Sequence, residues 1–574
     1  MRTLFHKYRR YLTNYDSVLA YSLLGLVGGL ASGLVVLGFE LAISFTAGLW
    51  GVGNGGEDFE SLPVWLHFAL PATGALVLGM IYHFLKPEDR ETGIVHVLSR
   101  MHSHYGALPW RNAVVQFIGG TFAIASGQSG GREGPGVHLG GAVNSLLGQR
   151  LDLPNNSLRV LIACGTAGGI AAAFNTPLAG VVFAMEVIIA EYTVVGFIPV
   201  ILASVAASAV SHTFSGAGAS FSIHALQLNS LLEIPMVVAL GITCGLSVVV
   251  FIQISKWASR MASLQVTLRF TLAGLLTGLL ALLVPEILGM GYDTLNLALH
   301  GELALASLLT IAVCKLLATS ITAGAGLPVG IIGPNLLIGA CIGSAFGIAA
   351  TILSPDLASD PILYVAIGMG ASMAAVLNAP LAAILAIIEL TQTISIGMPA
   401  MLAIVAATLT STGIFRQRAL HQTVLRQLQR AVPADPLNQL LHRTDVTSIM
   451  DSRVVRVPAM LTQEDRVPLM EFEPSWCLVT RDVEDLYLVR GSELLQWLQQ
   501  TQESDQTDIT EADIRRWTIA GVPVQATLRQ AMDTITNKTS ETICIYERSR
   551  SSGKQILHGV LTREDIERFS LTNL

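Results

Sequence analysis

Apolar segments follow one another from residue 17 to residue 415, and several of them are too short to cross a bilayer. Residues 17–50, 63–85 and 234–254 each supply the roughly 20 residues that a spanning helix needs, whereas 113–126, 136–147, 178–189 and 381–390 do not. Lipid cannot hydrogen-bond an open backbone. A short apolar helix broken by Gly or Pro therefore ends inside protein or against a water-filled cavity. Transporters use such broken helices to bring helix ends to a buried site. Composition fits the same reading: 52% of the 574 residues are hydrophobic and 13% are charged, too apolar for a soluble chain of this length. The 53 glycines permit close helix packing. We read residues 17–425 as an all-α polytopic membrane domain.

The first 16 residues are basic, with Lys7, Arg9 and Arg10 ahead of the first apolar run, which predicts a cytosolic N-terminus. That run is too long for a signal-peptide core and has no small-residue cleavage site at its end. Near Arg416 the composition changes. From Arg426 on, charge is frequent and the apolar runs are strand-length, at 476–480, 486–489, 542–546 and 557–561. Helical stretches alternate with them, so residues 426–574 read as a separate cytosolic α/β domain. Both termini are then expected on the cytosolic side of a cell (inner) membrane. The six cysteines show no CxxC or HxxxH spacing and read as small buried hydrophobes, with no disulfide framework and no metal site. A net charge of −7 without a long basic run argues against nucleic acid as a partner.

Within the apolar region, residues 127–141 read Gly-Gln-Ser-Gly-Gly-Arg-Glu-Gly-Pro-Gly-Val-His-Leu-Gly-Gly. Ionisable residues at membrane depth are costly and mark a pathway or site. The glycines break the helix, let backbone approach something small, and leave N–H groups to point at it. The chain also repeats itself. Asn175-Thr-Pro-Leu-Ala with Glu186 downstream matches Asn378-Ala-Pro-Leu-Ala with Glu389 downstream. The preceding helices match at Ala163, Gly165, Ala171 and Ala172 against Ala366, Gly368, Ala374 and Ala375. A similar offset sets 131–135 against 330–334. Two homologous halves follow, with parallel and inverted arrangements both open, and a site at their interface is the physical expectation.

Gly131-Arg-Glu-Gly-Pro135, the downstream Gly330-Ile-Ile-Gly-Pro334 and the two Asn-x-Pro-Leu-Ala helices resemble the CLC family of chloride channels and proton-coupled chloride exchangers. The likeness covers roughly residues 17–425, and the tail resembles the paired CBS domains that many members carry. The resemblance implies inverted repeats, a homodimer in membrane lipid with one anion pathway per subunit, and helix N-termini converging on dehydrated chloride. By position it implies that Glu133 is the gating glutamate, with Gly131, Arg132 and Gly134 beside it at the anion site. Ile331 and Ile332 match the backbone donors of the central site, where Ile332 replaces the usual Phe. Glu91-Thr-Gly-Ile-Val95 stands where the family has Gly-Ser-Gly-Ile-Pro, so Thr92 keeps the hydroxyl donor. His421, in Arg418-Ala-Leu-His-Gln-Thr-Val-Leu425, falls where the family has its anion-coordinating tyrosine.

These roles make physical sense. Chloride offers only charge and size, and neutral donors replace its water without holding it as tightly as a full Lys or Arg in the site. A carboxylate among the same donors competes as a tethered anion. Two like charges about 4 Å apart cost roughly 4 kcal/mol at an effective dielectric near 20. Chloride occupancy and Glu133 protonation are therefore expected to be linked. Plainer uses exist. A salt bridge to Arg132 is one for Glu133, disfavoured because adjacent helical residues do not face each other. A helix N-cap is the plain use of Thr92, and packing that of His421. Anchoring of helix ends is the plain use of Glu186 and Glu389, and structural partners suit Gln116 and Lys315 better than transport.

Exchangers of this family typically carry a second proton glutamate right after the residue matching Glu186, and here Val187 stands there. That favours, narrowly, a passive voltage- or pH-gated chloride channel over a chloride/proton antiporter, although His421 offers a group that titrates near neutrality. In the tail, Val446-Thr-Ser-Ile-Met-Asp451 resembles the opening of a CBS repeat. The closing Gly559-Val-Leu-Thr-Arg-Glu-Asp565-Ile resembles an adenine-nucleotide ribose contact through Thr562 and Asp565, and its counterpart Leu488-Val-Arg-Gly-Ser-Glu493 is degenerate. A ligand-free dimerisation and gating scaffold is the alternative, and no cofactor is required. GxSxG, HExxH and GxxxxGK[ST] are absent, so the chain does not read as an enzyme. A fluoride-selective exchanger usually alters the pentapeptide that is intact here. A sensor acting through the tail has no need of two broken-helix repeats.

Overall fold

The computed structural model describes residues 18–573 apart from 54, 191–193, 216–226, 357, 429–439, 442–443, 481–485, 502–505 and 549–554. The segment 1–16, expected in the cytosol, lies outside the described residues. Two compact units emerge: Val18–Leu151 with Leu158–Ala431, and Val432–Leu574 with Asp152–Ser157.

The first unit is helical. Its first half runs through α1 (Val18–Leu49), α2 (Val64–Phe84), α3 (Gly93–Ser103), α4 (Trp110–Ala125), α5 (Glu133–Arg150), α6 (Asn155–Phe174), α7 (Pro177–Phe183) and α8 (Val194–Ser215). Its second half runs through α9 (Ile234–Ser259), α10 (Val266–Ala281), α11 (Tyr292–Leu299), α12 (Leu305–Ala325), α13 (Ile332–Leu353), α14 (Pro361–Leu377), α15 (Pro380–Thr391), α16 (Gly397–Thr408) and α17 (Leu420–Gln427). Among the described residues, eight helical segments are long and apolar enough to cross a membrane, and α10, α14 and α15 are apolar but shorter. The helices α3, α11 and α17 lie outside the apolar segments recognised above. α3 carries His96, Arg100 and His102, while α11 and α17 are two turns long, so hydropathy alone passes over them.

The repeat is built into the packing. Asn175 and Asn378 adopt positive φ just past α6 and α14, ending each helix with a left-handed residue. Pro177 and Pro380 then start α7 and α15 at the position where a missing N–H costs nothing. A Cβ on Gly140 would lie 2.2 Å from the Gly165 carbonyl oxygen, and one on Gly339 would lie 2.2 Å from that of Gly368. Each half therefore crosses its two helices backbone to backbone at matched glycines. Between halves, Gly131 and Gly330 form an antiparallel bridge, each N–H donating to the other's carbonyl at 2.7 Å. Reciprocal bonds of this kind are related by a local two-fold.

The second unit holds two similar sheets. The first is β1 (Val454–Pro458) parallel to β3 (Trp476–Thr480), with β4 (Leu486–Arg490) antiparallel on the other side of β3. The second is β6 (Ile519–Pro523) parallel to β7 (Thr542–Arg548), with β8 (Gln555–Thr562) antiparallel. A small pair, β2 (Met460–Thr462) and β5 (Gln506–Asp508), lies apart. Parallel neighbours need a crossover, supplied by α18 (Gln463–Phe472) and α20 (Leu528–Lys538). The helices α19 (Gly491–Gln500) and α21 (Arg563–Asn573) follow β4 and β8. Alternation along β3 sends Cys477 and Val479 into one core with Leu494, and Trp476 and Leu478 into another with Cys544 and Val560 of the second sheet. Strands β3, β4, β7 and β8 match the strand-length segments of the sequence. The edge strands β1 and β6 end in Pro458 and Pro523, which weakens their pattern.

Candidate functional site

Two helix starts meet around one carboxylate. α5 begins at Glu133 and α13 at Ile332, and the bridge between Gly131 and Gly330 holds the two breaks together. Glu133 is fully buried. Its Oε2 accepts the N–H of Gly333 at 3.1 Å, and its Oε1 accepts the hydroxyl of Tyr292. A Cβ on Gly131 would sit 2.1 Å from Oε2, so only glycine leaves room for this carboxylate. A helix N-terminus offers unpaired N–H groups and the positive end of the dipole. The Glu133 carboxyl group thus lies at the start of α13, held by its own chain.

Arg132 turns elsewhere. Its Nε lies 3.3 Å from Glu40 Oε1, its Nη2 donates to the Ala173 carbonyl at 3.1 Å, and its guanidinium stands 5.6 Å from the Tyr292 ring centroid. The alternative of an Arg132–Glu133 salt bridge gives way to the Arg132–Glu40 pair. A cavity of about 330 Å³ opens beside this pair, lined by Glu40, Ser44, Glu57 and Arg132 among apolar neighbours. Glu57 belongs to the connection between α1 and α2. Burial pushes its carboxyl up to about 7, with Arg132 pulling the other way.

The other residues singled out in the sequence fall as follows. Ile331 caps α13 and Ile332 is its first residue, fully buried, but the amide that meets Glu133 is that of Gly333. A Cβ on Gly134 would lie 2.9 Å from Gly330 Cα, so Gly134 serves the close approach of the two halves. Thr92 is the N-cap residue of α3, in extended conformation and with no capping hydrogen bond from its side chain. The Gly93 N–H donates to Gln116 Oε1 at 2.8 Å, and Gln116 Nε2 donates to the Pro328 carbonyl at 2.9 Å. Gln116 therefore clamps the start of α3 to the segment ahead of α13. His421 is buried on α17, which packs against α3 and α14, and its Nδ1 makes no hydrogen bond. The structure brings together Gly131, Glu133 and Gly333, and sets the helices of Thr92 and His421 against each other.

Val187 is buried in the core beside Phe183 and Ile188. Its neighbour Glu186 accepts the N–H groups of Leu381 and Ala382 at 3.3 and 2.9 Å, at the start of α15. Glu389 accepts those of Leu178 and Ala179, both at 2.8 Å, at the start of α7. Each half caps a helix of the other, the anchoring use anticipated for both residues. Lys315 is fully buried and donates to the carbonyls of Ile287 and Gly289 at 2.9 and 3.0 Å, also a structural use. In the tail, Thr562 Oγ1 donates to Asp565 Oδ2 at 2.6 Å, and the Thr562 N–H donates to the same oxygen at 3.0 Å. Together they cap α21.

Sequence reasoning missed Tyr292, Glu40 and Gly333. Tyr292 follows Gly289-Met-Gly, a glycine-rich break of the same kind as the two already recognised, and Gly291 takes φ +82 just before it. Glu40 is the sole carboxylate in the 32 residues of α1, which was signal enough.

A helical membrane fold with two-fold related breaks around a buried glutamate defines a class of anion-handling membrane protein. Residues 74–412 match the family described as voltage gated chloride channel, and the chain belongs to that family. A relative from Ralstonia nicotianae, provisionally named a ClcB-like chloride channel protein, is 32% identical over 61% of this chain and 84% of its own. The H(+)/Cl(-) exchange transporter ClcA of Vibrio vulnificus is 30% identical over 72% of this chain and 92% of its own. The crystal structure of a eukaryotic CLC transporter aligns over 98% of both chains with a TM-score of 0.58 at 20% identity, a likeness of fold.

Proposed function

We propose that the protein exchanges chloride for protons across the membrane, with Glu133 alternating between a charged form that occupies an anion position and a protonated form that yields it. The observation that carries this reading is the bond from the Gly333 N–H to the buried Glu133 carboxylate at the start of α13. Likeness to the Vibrio vulnificus exchanger over most of that protein's length supports it. On this reading chloride is held by the backbone around Gly131, Arg132, Gly134, Ile331 and Ile332, by the Thr92 hydroxyl, and by His421 from α17. The protein works as a homodimer with one pathway per subunit. The tail is a CBS pair that serves as a dimerisation and gating scaffold, with Thr562 and Asp565 the candidate contacts to an adenine nucleotide.

A passive channel is the second reading, favoured by the apolar burial of Val187 and by the name of the Ralstonia relative. One experiment separates them. Purified protein in liposomes is given a chloride gradient, and chloride and external pH are followed together. Exchange predicts proton movement against the proton gradient, driven by chloride. Chloride flux without proton movement establishes the channel.

A further inference from the structure

We propose that the pair His96–His138 relays the proton to and from Glu133, in place of the glutamate that Val187 does not supply. The proposal rests on the exchange reading. The helices α3 and α5 begin at Gly93 and Glu133 and run side by side in the same direction. His96 Nδ1 lies 2.8 Å from His138 Nε2, and further along Ser145 accepts the N–H of Leu108 at 2.9 Å, just past the end of α3. His138 stands five residues beyond Glu133, about 7.5 Å along the helix axis at 1.5 Å per residue. Five residues also turn the side chains about 140° apart around the helix, so water would have to span both the rise and the turn.

Both rings are buried, at 3% and 0% exposure, with centroids 5.0 Å apart. At 2.8 Å the facing nitrogens share one proton, so one ring donates and the other accepts. The outer nitrogen of His138, Nδ1, has no hydrogen-bond partner. A buried polar atom without a partner is costly. It fits a group that takes and releases a proton.

The charged and titratable groups on the neighbouring elements have these partners among the described residues. His96 is the group that acts electrostatically on His138. On α3, Arg100 donates to the Ala107 carbonyl. From α1, which packs on α5, Glu40 is paired with Arg132. From α4, Arg111 lies 3.8 Å from Asp89. On α6, Arg159 acts on His102, and α13 carries no charged residue. From α17, packed on α3, the titratable and charged groups are His421 and Arg426.

The transfer balances. A proton reaching His96 Nε2 makes that ring cationic, and the shared proton moves from His96 Nδ1 to His138 Nε2. The proton on His138 Nδ1 then leaves through water to the Glu133 carboxylate. One proton enters and one leaves, and tautomer exchange in both rings restores the start.

The test uses the full chain in liposomes, with chloride and proton fluxes measured together for the native protein, His138→Gln and His96→Gln. Glutamine keeps a hydrogen bond across the pair and cannot carry a proton. Each variant is expected to lose proton flux by roughly a hundredfold while chloride flux persists, so the chloride-to-proton ratio rises. Val187→Glu added to His138→Gln is expected to bring proton flux back. If the native protein couples protons and both variants keep the native ratio, or lose both fluxes in parallel, the relay is overturned and exchange stands. A native protein that moves no protons overturns both.

Discussion

Tyr292 and Gly333 decide how firmly Glu133 holds its place, since both donate to its carboxylate. A hydrogen bond to a charged group is worth about 1.5–3 kcal/mol. Tyr292→Phe removes one from the charged form. It is expected to raise by about one unit the pH at which chloride flux is half-maximal, at 1.36 kcal/mol per unit, and a flux titration against pH checks it. An unchanged midpoint would mean that the hydroxyl does not act on the gate. Glu57 makes a second pH prediction, this time for stability. Its folded carboxyl is raised from 4.5 to about 7, so its neutral form is favoured in the fold. That contribution is whole below about 4.5 and is lost as pH rises towards 7, an effect on the order of 3 kcal/mol. Thermal unfolding of Glu57→Gln should therefore decline less over that window than unfolding of the native protein.

At the scale of elements, the two halves hold each other by their ends. Glu186 sits on the start of α15 and Glu389 on the start of α7. Replacing either carboxylate by the amide weakens a charged cap, with a cost of about 1 kcal/mol. Glu186→Gln and Glu389→Gln should lower the melting temperature by similar amounts, as two-fold related contacts must. Unequal losses would show that one contact is incidental. These glutamates also show how much was legible beforehand. The repeat of Asn-x-Pro-Leu-Ala with a glutamate downstream was plain in the sequence, and so were the breaks at Gly131 and Gly330, because glycine and proline punctuate locally. Their partners were not. Nothing near Glu186 in the chain points to Leu381, and the Arg132 pairing with Glu40 spans helices that only the fold brings together. α3 was hidden because His96, Ser99, Arg100 and His102 interrupt its apolar residues and leave no apolar run to read.

Over the whole molecule, apolar helices with two-fold related breaks position one carboxyl group at the start of α13. Family membership, covering residues 74–412, accounts for chloride as the cargo. The spacing that identified Gly131-Arg-Glu-Gly-Pro135 carried the site's centre, whereas the donors to it came from two other elements, α11 and α13. The exchange reading departs from the narrow preference for a channel that Val187 suggested. A missing glutamate at one position does not exclude exchange, and the buried histidines between α3 and α5 are the proposed alternative route.

The central claim is that Glu133 is both the competitor of chloride and the carrier of its proton. Glu133→Gln in liposomes tests it most directly, with chloride and proton fluxes followed across pH. The amide cannot be charged or carry a proton, so chloride flux should persist, lose its dependence on pH, and show no coupled proton movement. Retained pH dependence with retained proton coupling would contradict the account.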